Sequence, residues 1–261
     1  MGQDWGREVV GVRGAVKAGG AVEPVHGVRF DVPIYTQADA ARYLDIPPTT
    51  FRSWARGYRH AFPNRSPVQG APLITSVGQP GAAQPSIPFI GLAEGMFLSA
   101  LRRAHVPMQQ IRPALELVQD RLGVEHALAS KNLYLCGADL LYQISEDDTL
   151  ERENRREARK LIVLKNGQYV FREVVEKYLL NIHYDSRYAD RLTLPGYEVA
   201  TIAAQPEVNF GRPYFTATGT PLHVVTGRLR AGESVEDVAD DFDLAEEQVA
   251  EVAERYGRDA A

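Results

Sequence analysis

The chain has 261 residues, of which 44% are hydrophobic, and its formal net charge is −5. No apolar run approaches the roughly 20 residues that a membrane helix needs, and no charged-then-apolar signal peptide opens the sequence. Cys136 is the only cysteine, which excludes a disulfide framework and a cysteine metal cluster and favours a reducing cytoplasm.

Charge is distributed unevenly along the chain. Residues 46–93 contain four arginines and no aspartate or glutamate, although the average acidic content would place about six acids there. Residues 204–261, in contrast, contain twelve acidic residues and five arginines, a balance of −7. The first stretch is therefore suited to meet phosphates, and the last one is not.

Glycine content and hydrophobic periodicity divide the chain into four segments. Seven glycines without sustained periodicity predict a flexible N-terminal tail. Helical patterns with short strand-like runs follow, and we expect an α+β fold that is mainly α. The predicted segments are the tail at 1–30, a DNA-binding segment at 31–88, a central α+β region at 89–200 and a small helical domain at 201–261.

The first strong pattern, at residues 36–58, predicts two short helices. Thr36 and Asp39 have the spacing of a capping box, and Pro48 suits the first turn of a second helix. Phe51 and Trp54 are three residues apart and share the buried face of that helix. Two short helices joined by a tight turn form a helix-turn-helix.

The face of the second helix opposite its aromatic residues is polar and basic. Residues at the start of a recognition helix reach base edges, while hydroxyl and guanidinium groups hold phosphates. The stretch at 62–88 is rich in Pro, Gly, Ser and Gln, and it predicts a long loop or a wing-like hairpin around Leu73–Val77. The predicted DNA-binding residues are Thr49, Thr50, Arg52, Ser53, Arg56, Tyr58 and Arg59.

The central region is expected to combine helices with small hairpins. Helical periodicity predicts helices over 89–104 and 107–122, which suit a core and a dimer surface. An Asn-Gly pair between apolar runs predicts a hairpin over 161–172, and an amphipathic helix follows at 171–182. Because two-fold dimers read half-sites about one helical turn apart, we expect a homodimer on an inverted repeat.

Three helical patterns close the chain and indicate a second small helix-turn-helix bundle. Ser234 and Asp237 have capping-box spacing at the start of its second helix. The third helix carries four carboxylates, those of Glu246, Glu247, Glu251 and Glu254. Carboxylates placed against phosphates would be repelled. We therefore predict that this domain binds protein rather than DNA.

Residues 36–58 resemble the helix-turn-helix of MerR-like regulators. Ala41, Leu44, the Ile46–Pro48 turn and the Phe-Arg-x-Trp at 51–54 carry this resemblance. Asp45 stands where a glycine is common. The resemblance implies a winged DNA-binding unit at the N-terminal end of the fold.

The last segment resembles a small helical domain that is grouped with VapB-type antitoxins. The marks are Phe-Gly-Arg-Pro at 210–213, Gly-Thr-Pro at 219–221 and Ala-Gly-Glu-Ser at 231–234. The middle segment is similar to the long version of this family, so the resemblance covers roughly residues 33–256. It implies a type II toxin–antitoxin pair, in which the antitoxin blocks a PIN-like ribonuclease toxin and represses the shared promoter.

The resemblance also implies how such a toxin is held. PIN-like nucleases gather carboxylates around Mg²⁺, and these would attract a guanidinium group. Arg255 and Arg258 follow the predicted last helix, where the chain is free to extend; alternatively, the antitoxin covers the RNA groove without touching the carboxylates. The central region at 89–200 is a second candidate for toxin contact. The predicted toxin-binding residues are Arg212, Arg228, Arg255 and Arg258.

No motif in the sequence predicts catalysis. The six histidines lack metal-site spacing, and there is no phosphate loop, dinucleotide glycine fingerprint or nucleophile elbow. We predict no enzyme activity, no catalytic residue, no metal and no cofactor. The alternative function is a MerR-like transcriptional regulator that senses a small molecule, because residues 86–182 could enclose a ligand pocket.

Overall fold

A computed structural model describes residues 27–62, 65–78, 84–103, 108–133, 152, 155–156, 180–185 and 187–258. The predicted hairpin at 161–172 and most of the helix predicted at 171–182 lie outside these ranges. The helices named below are α1 (Val28–Asp31), α2 (Gln37–Tyr43), α3 (Pro48–Arg56), α4 (Phe89–Arg103), α5 (Met108–Leu122), α6 (Leu222–Arg230), α7 (Val235–Phe242) and α8 (Glu246–Arg258). The strands are β1 (Tyr58–Phe62), β2 (Arg65–Gly70), β3 (Ile182–Tyr184), β4 (Ala189–Thr193), β5 (Ile202–Ala204) and β6 (Tyr214–Phe215).

The helix-turn-helix of α2 and α3 begins as the sequence predicts. The Thr36 hydroxyl accepts the Asp39 backbone N–H at 3.0 Å, which caps α2. Pro48 occupies the first turn of α3, where its missing N–H is not needed. Phe51 and Trp54 are 0% and 1% exposed. The Thr36 cap, the proline and the buried aromatic face are therefore confirmed.

The hairpin that follows α3 lies earlier in the chain than expected. Strands β1 and β2 pair antiparallel, with Tyr58 opposite Gly70. Leu73–Val77, the expected site of the wing, has no strand, and Leu73 and Ile74 are buried in the core instead. Their backbone N–H groups bond to the Trp54 carbonyl, which holds the segment against α3. Of the two predicted alternatives, the wing-like hairpin around Leu73–Val77 was wrong, because its apolar residues pack into the core, and this segment is a loop.

The predicted tail ends sooner than residue 30. Residues 1–26 lie outside the described ranges, but Val28–Asp31 form the short helix α1. The Phe30 ring is 7% exposed and packs edge-on against the Tyr188 ring at 5.3 Å. An aromatic ring buried in this way makes residues 28–30 part of the fold, so the boundary predicted at residue 30 falls inside a helix.

Helix α4 lies at the centre of the molecule. Every residue from Phe89 to Leu101 is buried, and a single apolar cluster runs from the helix-turn-helix through α4 to the C-terminal helices. A helix that is apolar on all sides is expected to be covered by other elements on all sides. The helix-turn-helix unit and the rest of the described chain are therefore built on one core.

A four-stranded antiparallel sheet joins the central region to the C-terminal domain. Its order is β3-β4-β5-β6, with Leu192 opposite Ala204 and Ile202 opposite Phe215. Strand β5 is fully buried although it has only three residues, too few for a period to show in the sequence. The segment boundary expected at residue 200 therefore falls inside a sheet.

The C-terminal helices agree with the predicted pattern. The Ser234 hydroxyl accepts the Asp237 backbone N–H at 3.0 Å, so the cap predicted at Ser234 is also confirmed. Val249 and Val252 of α8 are fully buried. Small antiparallel sheets among predominating helices confirm the α+β, mainly α, fold class. Of the helices in the described ranges, none is long and apolar enough to cross a membrane.

Candidate nucleic-acid interface

The turn between α2 and α3 is held by charged groups from two other helices. Asp45 has a φ of 54°, the left-handed conformation that makes glycine common at this position. Its carboxylate lies 3.2 Å from Arg103 of α4 and 3.7 Å from Arg255 of α8. Arg103 also donates to the Leu44 carbonyl at 3.0 Å. The aspartate tolerates the left-handed turn and ties it to α4 and α8.

The predicted DNA-binding residues lie on one outer surface, formed by α3 and the start of β1. Phe51, Trp54 and Ala55 point inward, and the remaining positions of α3 face solvent or are half-buried. The exposed members are Thr49, Arg52, Arg56, Tyr58 and Arg59, and the half-buried members are Thr50 and Ser53. The structure thus brings all seven together, while their contact with DNA stays a prediction.

Two further arginines adjoin this surface, and sequence reasoning missed both. Arg102, in the last turn of α4, donates to the Thr50 hydroxyl at 3.1 Å. Arg112 of α5 places its guanidinium carbon 5.4 Å from the centre of the Tyr58 ring and donates to the Ala71 carbonyl. Each lies more than 50 residues along the chain from the side chain that it contacts, Thr50 or Tyr58, so only the packing of α4 and α5 reveals them. They extend the cationic surface.

A cleft of about 440 Å³ separates the end of α3 from the hairpin. Arg56, Tyr58 and Arg59 line it on one side. Gly57 makes the sharp change of direction with a φ of 72°, and a Cβ atom there would meet the Gly70 carbonyl oxygen at 2.3 Å. Any other residue at Gly57 would push the hairpin away and open this cleft. The guanidinium groups around it are suited to follow a phosphate backbone.

The four arginines predicted to contact a toxin have different environments. Arg255 does not extend beyond the last helix, because α8 continues to Arg258. Its guanidinium donates to the Gly196 and Arg42 carbonyls at 3.0 and 3.1 Å and lies 4.8 Å from the Tyr197 ring centre. The expectation of a free end at Arg255 was wrong, because this side chain braces the fold.

Of the remaining three, Arg228 and Arg212 differ in their partners. Arg228 forms ion pairs with Glu233 and, at 2.6 Å, with Asp241. Arg212 is exposed, and no described residue makes a hydrogen bond or ion pair with its guanidinium. Arg258 is the last residue of α8, and its side chain lies outside the described residues. Contact of these arginines with a toxin stays a prediction.

The acidic face of α8 contains three of the four expected carboxylates. Glu246, Glu247 and Glu254 are exposed. Glu251 instead accepts three backbone N–H groups, from Glu198, Val199 and Ala200 at 2.5, 3.2 and 2.7 Å. A carboxylate that satisfies three consecutive N–H groups fixes the loop before β5. The exposed face of α8 still presents negative charge where α3 presents positive charge.

A buried polar network lies beneath the helix-turn-helix. Glu94 of α4 is 4% exposed and accepts the Thr75 backbone N–H at 2.5 Å. The Nδ1 atom of His126 lies 2.8 Å from the Thr75 hydroxyl and 3.3 Å from a Glu94 oxygen. The Glu125 carboxylate lies 3.9 Å from the other ring nitrogen, Nε2. The network thus connects α4 to the segments that contain Thr75 and His126.

The electrostatics of this network favour a charged imidazole. Burial lowers the pKa of His126, but the hydrogen bond with Glu94 and the negative charges of Glu94, Glu125 and Asp31 outweigh burial. The pKa of His126 is therefore raised above its ordinary value. In the part of the chain that the structure describes, no group of three or more His, Cys, Asp or Glu side chains is placed to hold a metal ion.

Two family models match this chain. One, described as "Putative DNA-binding HTH domain", matches residues 33–115, which include α2, α3, the hairpin and α4. The other, described as "Protein of unknown function (DUF433)", matches residues 202–254, which include the three C-terminal helices up to Glu254.

Proteins of Mycobacterium tuberculosis are similar over most of the chain. "Putative antitoxin VapB45" of strain ATCC 25618 / H37Rv is 41% identical over 223 residues, which cover 85% of this chain and 93% of that protein. An X-ray crystal structure of Rv2018 from Mycobacterium tuberculosis is 38% identical, with a TM-score of 0.68. The match covers 86% of this chain and 99% of the chain in that crystal structure.

Proposed function

We propose that this chain is the antitoxin of a type II toxin–antitoxin pair. The premise is that the chain belongs to the VapB-type antitoxin family and carries a DNA-binding helix-turn-helix. It neutralises a PIN-like ribonuclease toxin by binding it directly. It also represses the promoter that it shares with the toxin gene. Both activities are binding functions in the cytoplasm, and neither requires catalysis by this chain.

The observation that supports DNA binding is the cationic surface of α3 and the hairpin. Arg52, Arg56 and Arg59 are exposed on it, and residues 46–93 contain no acidic residue that would oppose them. Asp45, which precedes this stretch, is paired with Arg103. A helix-turn-helix places such a helix in the major groove, and the hairpin beside it lies along the phosphates. We propose a homodimer that reads an inverted repeat.

The toxin-binding role is assigned to the C-terminal domain. Its exposed helix α8 is negatively charged, which suits a basic, RNA-binding surface of a nuclease and speeds association with it. Among the four candidate arginines, Arg212 offers an exposed guanidinium, whereas Arg255 and Arg228 are held by partners within the chain. Arg212 is therefore the arginine that we propose to contact the toxin.

A titration of both activities tests this function. The reading frame adjacent to this gene supplies the candidate toxin, which is purified and assayed for cleavage of RNA. We expect a stoichiometric amount of this chain to abolish the cleavage, and we expect fluorescence anisotropy to show binding to its own promoter that weakens with salt. Full ribonuclease activity in the presence of excess antitoxin would rule out the proposed neutralisation.

A further inference from the structure

A turn at Asn209–Gly211 presents an aromatic side chain to solvent in an unfavourable backbone conformation. Asn209 and Phe210 have φ values of 50° and 56°, and Gly211 continues with 80°. A bulky residue in the left-handed region is a conformational outlier that costs free energy. The Phe210 side chain is 90% exposed, so burial within the chain does not offset this cost. Strain of this kind at an exposed aromatic residue indicates that the side chain serves a function other than stabilising the fold.

The strained turn is held rigidly by the segment before α2. The buried Tyr35 hydroxyl donates to the Gly211 carbonyl at 2.5 Å. Gly211 packs so closely that a Cβ atom there would lie 2.6 Å from the Ile34 side chain. On the other side, the Asn209 amide donates to the Gly219 carbonyl at 3.1 Å. The Phe210 side chain is therefore presented on a preorganised base, which lowers the entropic cost of binding a partner.

A cationic cleft adjoins this turn. It has a volume of about 250 Å³ and lies between α2, α6 and α8. Arg42, Arg212, His223 and Arg230 line it, and Asp39 is the one carboxylate in its lining. Asp39 is already paired with Arg42 at 3.2 Å. The cleft therefore has an excess of positive charge inside a domain that is negative overall.

Two of the three arginines of the cleft are held against an aromatic ring. The guanidinium carbons of Arg42 and Arg230 each lie 5.5 Å from the centre of the Tyr256 ring. Burial and the positive charge of Arg212 lower the pKa of His223 below its ordinary value, so its imidazole is neutral and offers both a donor and an acceptor. The cleft thus presents fixed cations next to an uncharged hydrogen-bonding group, an arrangement suited to a carboxylate.

We infer that Phe210, Arg212 and this cleft form the docking surface for the toxin, on which the phenyl ring enters an apolar recess and the arginines receive carboxylates of the toxin. The inference rests on the proposed antitoxin function and names the surface that performs it. Aromatic and arginine side chains supply most of the energetically dominant contacts in protein interfaces, especially when they are preorganised.

A protein partner fits this surface better than a nucleic acid does. Residues 204–261 carry a charge balance of −7, and the exposed Glu246 and Glu247 of α8 belong to the same domain. These carboxylates would repel a phosphate backbone over a long path. A protein can instead place an acidic patch of limited size on the cleft and a basic surface against the carboxylates of α8.

Phe210→Asn is the decisive variant. Asparagine adopts the left-handed conformation more readily than phenylalanine, and an exposed side chain loses little packing when it is shortened. We expect the thermal midpoint of Phe210→Asn to equal or exceed that of the wild type. We expect its affinity for the purified product of the adjacent reading frame to fall at least roughly 30-fold, as for a central interface residue. Isothermal titration calorimetry with the full chain measures the affinity.

Arg212 supplies a second, independent test. We expect Arg212→Ala to weaken toxin binding roughly tenfold and to make it less dependent on salt, with partial recovery in Arg212→Lys. Val199→Ala is the matched control, because Val199 is an apolar side chain on the same domain that is 54% exposed. This control is expected to bind the toxin with wild-type affinity.

The outcomes separate the docking surface from the antitoxin function. Wild-type toxin affinity in Phe210→Asn and Arg212→Ala overturns the docking surface while the antitoxin function stands. A lower thermal midpoint in Phe210→Asn would show that the ring supports the fold, and it overturns the inference as well. A loss of operator affinity with intact toxin affinity would assign the surface to nucleic acid. If wild-type chain does not bind the toxin, the proposed function fails and this inference fails with it.

Discussion

The molecule contains two helix-turn-helix units, and they follow the same local rules. In the N-terminal unit, Thr36 caps α2, and in the C-terminal unit Ser234 caps α7 through the same hydrogen-bond pattern. Each first helix is followed by an aspartate in the left-handed conformation, Asp45 with a φ of 54° and Asp243 with a φ of 52°. In both units, the second helix buries one apolar face against the common core.

The two units differ in the charge of the exposed face of the second helix. Helix α3 exposes Arg52 and Arg56, whereas α8 exposes Glu246 and Glu247. The fold alone therefore does not identify a DNA-binding unit, since two similar arrangements in one chain carry opposite charge. The surface charge determines that α3 is suited to phosphate and α8 is suited to a basic protein surface.

The two units are also joined, and Arg255 is the side chain that joins them most directly. We expect Arg255→Ala to lower the free energy of unfolding by about 2–3 kcal/mol, because charge-assisted hydrogen bonds to two carbonyls are lost from a side chain that is 15% exposed. Operator affinity should fall too, since the turn at Asp45 loses one of its two arginines. Urea unfolding and anisotropy measure both effects.

Arg187→Ala is the control for this variant, because it removes an exposed arginine that lies outside both units. We expect it to change stability by less than about 0.5 kcal/mol. If Arg255→Ala matched this control in stability and operator binding, the two units would be independent of each other.

The charge contrast is tested at α3. We expect Arg52→Ala and Arg56→Ala each to cost roughly 1–3 kcal/mol of operator affinity where the arginine reads a base, and to lower the slope of log affinity against log salt by about 1 where it holds a phosphate. Toxin binding should not change. Wild-type affinity for the operator in the double variant would remove the N-terminal unit from DNA recognition.

The smallest expected change in stability concerns the buried network of Glu94, Thr75 and His126 beneath the N-terminal unit. The described residues of the C-terminal unit contain no such network. Because the pKa of His126 is raised in the folded chain, its contribution to stability is full below the unfolded pKa and is lost as pH rises through the folded pKa. We expect the stability advantage of the wild type over His126→Gln to be full below the unfolded histidine pKa of about 6.5 and to shrink as pH rises through the raised folded pKa.

Thermal unfolding at several pH values measures this difference. The charged and titratable groups near His126 are Glu94, Glu125, Asp31 and Tyr188. A constant difference between wild type and variant across the pH range would show that the imidazole does not change its charge on folding.

Local sequence patterns were enough to predict much of both units. The helix caps at Thr36 and Ser234, the proline at the start of α3 and the buried Phe51 and Trp54 all depend on neighbours within a few residues. The exposed arginines of α3 follow from the same helical period, because burial of one face determines which residues are left outside. Composition then distinguished the acid-free stretch from the acidic domain.

The tertiary structure alone decided which side chains lie close together when they are far apart in the sequence. Arg102 and Arg112 reach the predicted DNA-binding surface from α4 and α5, and Arg255 bonds to the Arg42 carbonyl across more than 200 residues. Such contacts leave no period in the sequence, since each is set by how whole elements pack.

The sequence by itself determined the helices, their caps and the sign of charge that each unit carries, because these properties arise from residues close together in the chain. The tertiary structure decided the position of the hairpin, the strand at Ile202–Ala204 and the exposure of Phe210. Leu73 and Ile74 could have formed a wing or a core, and Phe210 could have been buried. Which apolar residues are buried in the common core depends on the packing of elements from the whole chain, so local sequence could not decide it.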